Sequence, residues 1–130
     1  MRRLGGLYHN FPGNHAIAMQ YSEALLKSRN PQQAETASVI LRQQTLYRDE
    51  DPTLYELYAR AANLAGDHVR AGEALAESYY QRGGIREAMQ QLEMLEKKSD
   101  LDYYQRSRVS ARLMEWRIQM SDLRDGRSKG

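Results

Sequence analysis

Histidine side chains are the groups in this sequence that could hold a metal ion or move a proton near neutral pH. The sequence has three of them, His9, His15 and His68. A zinc protease of the HExxH type places two histidines four residues apart on one helix, with a glutamate beside the first as general base. His9 and His15 are six residues apart with a proline and a glycine between them, and His68 stands alone. We therefore interpret all three as surface or turn residues rather than metal ligands.

Carboxylates are densest at Asp49, Glu50 and Asp51. A calcium loop spreads its ligands over about twelve residues around a glycine, and this stretch lacks both features. Asp51 instead stands directly before Pro52, where its side chain can cap a helix that begins there. Cysteine is absent, which excludes thiol catalysis and thiolate metal sites. The sequence thus indicates no catalytic residue, metal or cofactor, and we expect the chain not to be an enzyme.

Composition excludes further classes of function. The chain has 130 residues, the size of one domain, and a net charge of +2. Positive and negative residues alternate along most of it, whereas a nucleic-acid-binding protein usually concentrates its basic residues on one face. No stretch approaches the roughly 20 apolar residues that a membrane-spanning helix needs, and the first residues lack the apolar core of a signal peptide. We expect neither a nucleic-acid partner nor a membrane span.

The elements that position these residues are bounded by helix-capping and helix-breaking pairs. Asn30-Pro31 and Asp51-Pro52 predict helix starts, and Gly66-Asp67 and Gly83-Gly84 predict an end followed by a new start. These boundaries predict helices at about 14–28, 31–47, 52–65, 67–81, 85–97 and 100–121. Residues 1–13 are expected to form a flexible tail or the end of a preceding helix, and 122–130 a disordered basic tail. No window alternates with a period of two, so no strand is predicted.

An internal repeat relates three of the turns. After each turn comes an alanine, at Ala34, Ala71 and Ala88, with separations of 37 and 17 residues. These values lie near the 34-residue tetratricopeptide period and half of it. Alanine at such a position lets two helices cross closely. The pattern predicts an all-α fold, a tetratricopeptide-like α-solenoid of stacked antiparallel helical hairpins over residues 14–121.

One family resemblance rests on particular residues. From Leu54 the chain reads LYELYARAANLAGDHVRAGEALAESYYQRGGIREAMQQLEMLEKK, and then DLDYYQRSRVSARLMEWR. These runs resemble the C-terminal region of periplasmic zinc metalloproteases similar to the β-barrel assembly-enhancing protease of Gram-negative bacteria. Most of the resemblance lies in ALAESYYQRGG and in Tyr103-Tyr104-Gln105 with Arg108, Ala111 and Arg112. It extends over about residues 8–120.

The resemblance implies a function that composition does not. In that family the C-terminal repeats pack against a zinc-dependent protease domain and contact outer-membrane proteins and the barrel-assembly machinery. It implies that this chain is periplasmic, that it binds proteins or extended peptides, and that zinc belongs to a protease domain not contained in these 130 residues. The alternative is a free-standing tetratricopeptide adaptor or scaffold that binds an extended peptide.

The partner-binding residues are expected on the helices that line the inner face of the stack. Their outward positions between core residues are occupied by charged, amide and aromatic side chains that suit an extended peptide. They are Glu23 and Lys27 on the first such helix, Glu56, Arg60 and Asn63 on the second, and Glu77 and Tyr80 on the third. The competing interpretation is a plain solvated face, since Glu23–Lys27 and Glu56–Arg60 have the spacing of i,i+4 ion pairs.

Overall fold

The computed structural model of the chain describes the backbone of residues 2–129 and the side chains of residues 3–126. Its secondary structure within these residues is entirely helical, which confirms the predicted all-α class. The helices are α1 (Arg2–Asn10), α2 (His15–Lys27), α3 (Pro31–Thr45), α4 (Pro52–Leu64), α5 (His68–Gln81), α6 (Ile85–Glu96) and α7 (Tyr103–Lys129). None of the helices in this part of the chain is both long and apolar enough to cross a bilayer.

The helix starts follow from the capping residues. The side chain of Asn30 accepts hydrogen bonds from the first N–H groups of α3, and Asp51 does the same for α4. Asp67 caps α5 through the N–H of Arg70. Each cap satisfies backbone donors that have no partner inside the helix. The predicted starts at 31 and 52 are confirmed, and α5 starts at His68, one residue after the predicted 67.

Two glycines end helices in the predicted way. Gly66 and Gly83 have φ values of 88° and 89°, a left-handed conformation that other residues rarely adopt. Gly66 follows α4 and Gly83 follows α5. The chain can therefore reverse direction within a few residues at both points.

The two ends of the chain contain more helix than expected. Within the segment expected to be a tail or the end of a helix, α1 is helical, and its Tyr8 ring lies 5.6 Å from the Tyr21 ring of α2. At the other end α7 continues to Lys129, where the sequence predicted disorder from residue 122. That expectation rested on charge, but no proline interrupts this segment, so no proline ring stops the helix there. The side chains of Arg127 and Lys129, assigned to the basic tail, lie outside the described side chains, as does residue 130.

The core consists of two clusters, and each helix packs mainly against the next helix along the chain. One cluster is built from α2, α3 and α4 with Ala74 of α5. The other joins α5, α6 and α7 around Leu92, Leu113 and Trp116. Ala74 and Ala76 of α5 belong to different clusters, so α5 connects the two halves of the core.

Small residues mark the close helix crossings. Ala34 and Ala88 are fully buried, and Ala71 is partly buried against the first cluster. At Gly72 a Cβ atom would lie 3.0 Å from the side chain of Leu95. A larger residue at Gly72 would therefore force Leu95 to move, and a larger residue at fully buried Ala88 would have to displace its neighbours.

We predict that Ala88→Leu lowers the free energy of unfolding by about 1–3 kcal/mol, because three more carbons must enter a filled crossing. Urea denaturation measures the change. Ala111→Leu is the matched control, since Ala111 is exposed on α7 and should change stability by less than about 0.5 kcal/mol. Equal stability of Ala88→Leu and the wild type would contradict the assigned crossing.

Candidate functional site

The contact between α5 and α7 is the framework of the candidate site. Glu73 Oε1 lies 3.1 Å from Arg108 Nε, and Glu77 Oε1 lies 2.6 Å from Arg112 Nε. One turn further along, the Tyr80 ring stacks on the Trp116 ring at 5.0 Å and 11°. Both helices use a spacing of three or four residues, which places these side chains on one face of each helix. We call this set of pairs the α5–α7 contact.

Arg112 joins the ionic and aromatic parts of this contact. Its guanidinium donates two hydrogen bonds to Glu77 and lies 5.4 Å from the Tyr80 ring centroid and 4.8 Å from that of Trp116. A guanidinium between a carboxylate and two aromatic faces gains both charge-assisted hydrogen bonds and cation–π attraction. The hydrogen bond to Glu77, above all, raises the pKa of Arg112. Arg112 is therefore a permanently charged residue that holds α7 to α5.

A cleft lies beside this contact, bounded by α3 on one side and α7 on the other, and we call it the α3–α7 cleft. Its inner part is a cavity of about 260 Å³. The cavity is lined by buried Tyr55 and Tyr58 and by charged residues of α3, α5 and α7. An outer cavity of about 440 Å³ shares Arg42 and Arg70 with the inner one and reaches the α6–α7 loop. The two cavities thus adjoin at Arg42 and Arg70, and their linings include exposed residues such as Val39 as well as the buried tyrosines.

Burial changes the protonation of two cleft residues. Loss of hydration is the main reason that the pKa of Glu73 is raised above 4.5, and the neighbouring Arg108 opposes this shift. Burial, with the nearby charges of Glu77 and Asp49, raises the pKa of Tyr55 to about 12. Desolvation penalises the charged form of each group. The Tyr55 hydroxyl thus remains protonated at neutral pH and is available as a hydrogen-bond donor.

Five of the predicted binding residues lie on α2 and α4 and are exposed: Glu23, Lys27, Glu56, Arg60 and Asn63. Lys27, Arg60 and Asn63 line one depression of about 510 Å³ between the ends of the two helices, the α2–α4 depression. Glu56 lies 2.7 Å from Arg82 at the end of α5. Neither predicted i,i+4 pair, Glu23–Lys27 or Glu56–Arg60, is an ion pair among the described side chains.

Glu77 and Tyr80 do not share that surface. Both belong to the α5–α7 contact, and the Tyr80 hydroxyl donates a hydrogen bond of 2.6 Å to Gln119. The expectation of one continuous inner surface across α2, α4 and α5 therefore needs correction. It treated α5 as equivalent to α4, whereas α7 covers the face of α5 that carries Glu77 and Tyr80. Whether any of the seven residues binds a partner remains a prediction.

The cleft arginines, Arg42, Arg70, Arg108 and Arg112, were not among the predicted binding residues. A signal was present for the last two. Glu73 and Glu77 are separated from Arg108 and Arg112 by the same 35 residues. Two acidic residues four apart and two basic residues four apart are complementary for two helices in contact. No comparable signal identifies Arg42.

Two of the histidines contact the amide side chains of nearby residues. His15 Nδ1 lies 3.0 Å from the side-chain oxygen of buried Gln44, and His68 Nδ1 lies 2.7 Å from that of Asn63. Among the described side chains there is no group of three or more histidine, aspartate or glutamate residues that could hold a metal ion. The expectation that this chain binds no zinc stays a prediction.

Comparison of the chain with protein-family models, with curated proteins and with solved structures found no match. The physical properties of the cleft, together with the residues that carry the sequence resemblance, are thus the basis for inferring a function.

We predict that Glu77→Gln lowers the free energy of unfolding by about 1–3 kcal/mol, because Arg112 loses its charged acceptor in a partly desolvated position. Glu115→Gln is a matched control, since Glu115 contacts the same guanidinium at 2.7 Å but is 62% exposed. That exposed pair should contribute less than about 1 kcal/mol. If chemical denaturation shows the same loss of unfolding free energy in both variants, then the burial of the Glu77–Arg112 pair does not add to its stabilising effect.

We also predict a pH effect from Glu73. Because its folded-state pKa is raised above 4.5, its full contribution to stability is present below that pH. As the pH rises the unfolded chain ionises first, so this contribution is lost as the pH passes through the folded pKa. The wild type should therefore lose stability relative to Glu73→Gln as the pH is raised above 4.5 in paired urea titrations. A relative gain over that interval would mean that attraction to Arg108 outweighs desolvation.

Proposed function

We propose that this chain is a protein-binding module that holds an extended polypeptide in the α3–α7 cleft. The observation that carries the proposal is the cleft itself, in which helices far apart in sequence line two adjoining cavities whose walls include two buried tyrosines. A tetratricopeptide-like solenoid binds partners on the extended surface that its stacked helices form, and the proposal assigns that role to the cleft. The contacts between successive helices support that arrangement.

The chemistry of the lining suits a peptide. Tyrosine rings bury apolar surface while their hydroxyls bond to polar groups, and such residues are frequent at protein interfaces. Paired charges such as Glu73–Arg108 add polar groups without a large net charge. An extended chain presents both backbone donors and acceptors, so a cleft with mixed polar groups can satisfy it along its length. The α2–α4 depression, with Lys27, Arg60 and Asn63, is a second surface that a partner could contact.

The finer proposal is that the module belongs to a periplasmic metalloprotease that acts in outer-membrane protein assembly quality control. Its support is the sequence resemblance, which includes residues with clear structural roles. Within ALAESYYQRGG, Ala76 is buried, Glu77 and Tyr80 contact α7, and Gly83 ends α5. Arg108 and Arg112 are the arginines of the α5–α7 contact. The partners would be unfolded outer-membrane proteins or the barrel-assembly machinery, and zinc would be bound by the protease domain.

Site-specific photo-crosslinking tests this function. A photoreactive residue is placed at Val39 or His68, which line the outer cavity and are exposed, and the protein is mixed with a urea-unfolded outer-membrane protein. Both positions should trap the polypeptide. The same residue at exposed Gln20 of α2 or Gln90 of α6, which line neither of the two cavities of the cleft, should trap little.

Two results would contradict the proposal in different ways. Trapping at Arg60 and Asn63 alone would place binding in the α2–α4 depression and exclude the cleft. Equal trapping at cleft and control positions would exclude a defined binding surface. Sequencing the gene upstream of residue 1 tests the finer proposal, because a metalloprotease requires an HExxH motif there.

A further inference from the structure

Arginine outnumbers acidic residues in the inner cavity of the α3–α7 cleft. Arg42, Arg70, Arg108 and Arg112 line it, against Glu73 and Glu77. Each lining carboxylate accepts a hydrogen bond from an arginine of α7, at 3.1 Å for Glu73 and 2.6 Å for Glu77. The two acidic groups of the cavity are thus already engaged by α7.

The other two arginines differ in what surrounds them. Arg70 has Asp67 at 3.7 Å, on the same turn of α5. Arg42, on the opposite wall, makes no ion pair and no side-chain hydrogen bond with any residue in the described part of the chain. It is nevertheless partly buried. A guanidinium removed from water gains when it meets a planar anion that accepts two hydrogen bonds.

The position of Arg42 suits a bound ligand. It lines both the inner and the outer cavity, so a ligand in either cavity can come close to it. Tyr55, which also lines the inner cavity, has a hydroxyl with no hydrogen bond to another described residue. A tyrosine hydroxyl carries its proton at neutral pH, and the pKa of Tyr55 is raised further, to about 12. The cavity therefore presents one unpaired cation and one neutral donor.

We infer that the α3–α7 cleft recognises a carboxylate of its polypeptide partner, with Arg42 as the anion-binding residue and Tyr55 as an additional donor. The inference rests on the proposed function and names the chemistry that the partner must carry. The carboxylate is that of an acidic side chain or of the partner's C-terminus.

Calorimetric titration with three unlabelled peptides of one common neutral sequence tests the inference. The first has an amidated end and no acidic residue, the second is amidated with a central pair of glutamates, and the third has a free C-terminal carboxylate only. The second or third peptide should bind the wild-type chain more tightly than the first, and which one does so identifies the source of the carboxylate. Arg42→Gln should weaken that binding by about tenfold or more, the cost of a lost charged hydrogen bond.

Matched variants separate the loss of one anion site from a general loss of charge or fold. Arg86→Gln removes the same charge from an exposed arginine of α6 outside the cleft, and should leave the affinity within about twofold of wild type. Arg42→Lys keeps the charge without the planar fork and should bind with intermediate affinity. Thermal unfolding by circular dichroism verifies that each variant is folded.

The outcomes distinguish this inference from the proposed function. If all three peptides bind equally and Arg42→Gln changes nothing, the carboxylate inference is wrong while the binding function stands. If no peptide binds, trapping at Val39 is compared between wild type and Arg42→Gln. An unchanged yield overturns the inference alone, and no trapping in either protein overturns the function as well.

Discussion

The stacking of Arg112 against Tyr80 and Trp116 is the interaction on which the second half of the molecule depends. Without it, α7 would be held by its packing on α6 and, on the side of α5, by the Glu73–Arg108 pair and the Tyr80–Gln119 hydrogen bond. Trp116 is completely buried, yet its indole N–H has no hydrogen-bond partner among the described residues. That unmet donor costs free energy. Ring stacking, the guanidinium contact and the large apolar area of the indole must therefore outweigh it.

The same interaction also shapes the cleft. The arginines of α7 pair with Glu73 and Glu77, which also line the cleft. Arg42, on the opposite wall, is partly buried without an ion pair among the described residues. Stability and the proposed recognition are coupled through two glutamates, which are exposed by 20% and 17% at their side chains.

The sequence predicts those features of the molecule best that depend on residues close together in the chain. Asn30-Pro31 and Asp51-Pro52 are local signals, because a capping side chain bonds to N–H groups only two or three residues away. The structure confirms the helix start at both pairs. The helix end predicted at about 121 falls before the end of α7 at Lys129. The charge of the segment describes its hydration, whereas a proline that would interrupt the helix is absent from it. Ala88 was correctly recognised as a close crossing from its place in a repeated pattern.

The site was less predictable because it depends on which helices meet across the stack. Tyr80 has the position of an exposed residue in the pattern of α5 alone, and only the approach of α7 makes it a packing residue. Arg42 carries no local signal at all, since an arginine on a helix is usually solvated. Arg42 is of interest because the carboxylates that line the cavity with it, on α5, are already paired with arginines of α7. A property of that kind follows from the complete set of neighbours, so no reading of α3 by itself could have revealed it.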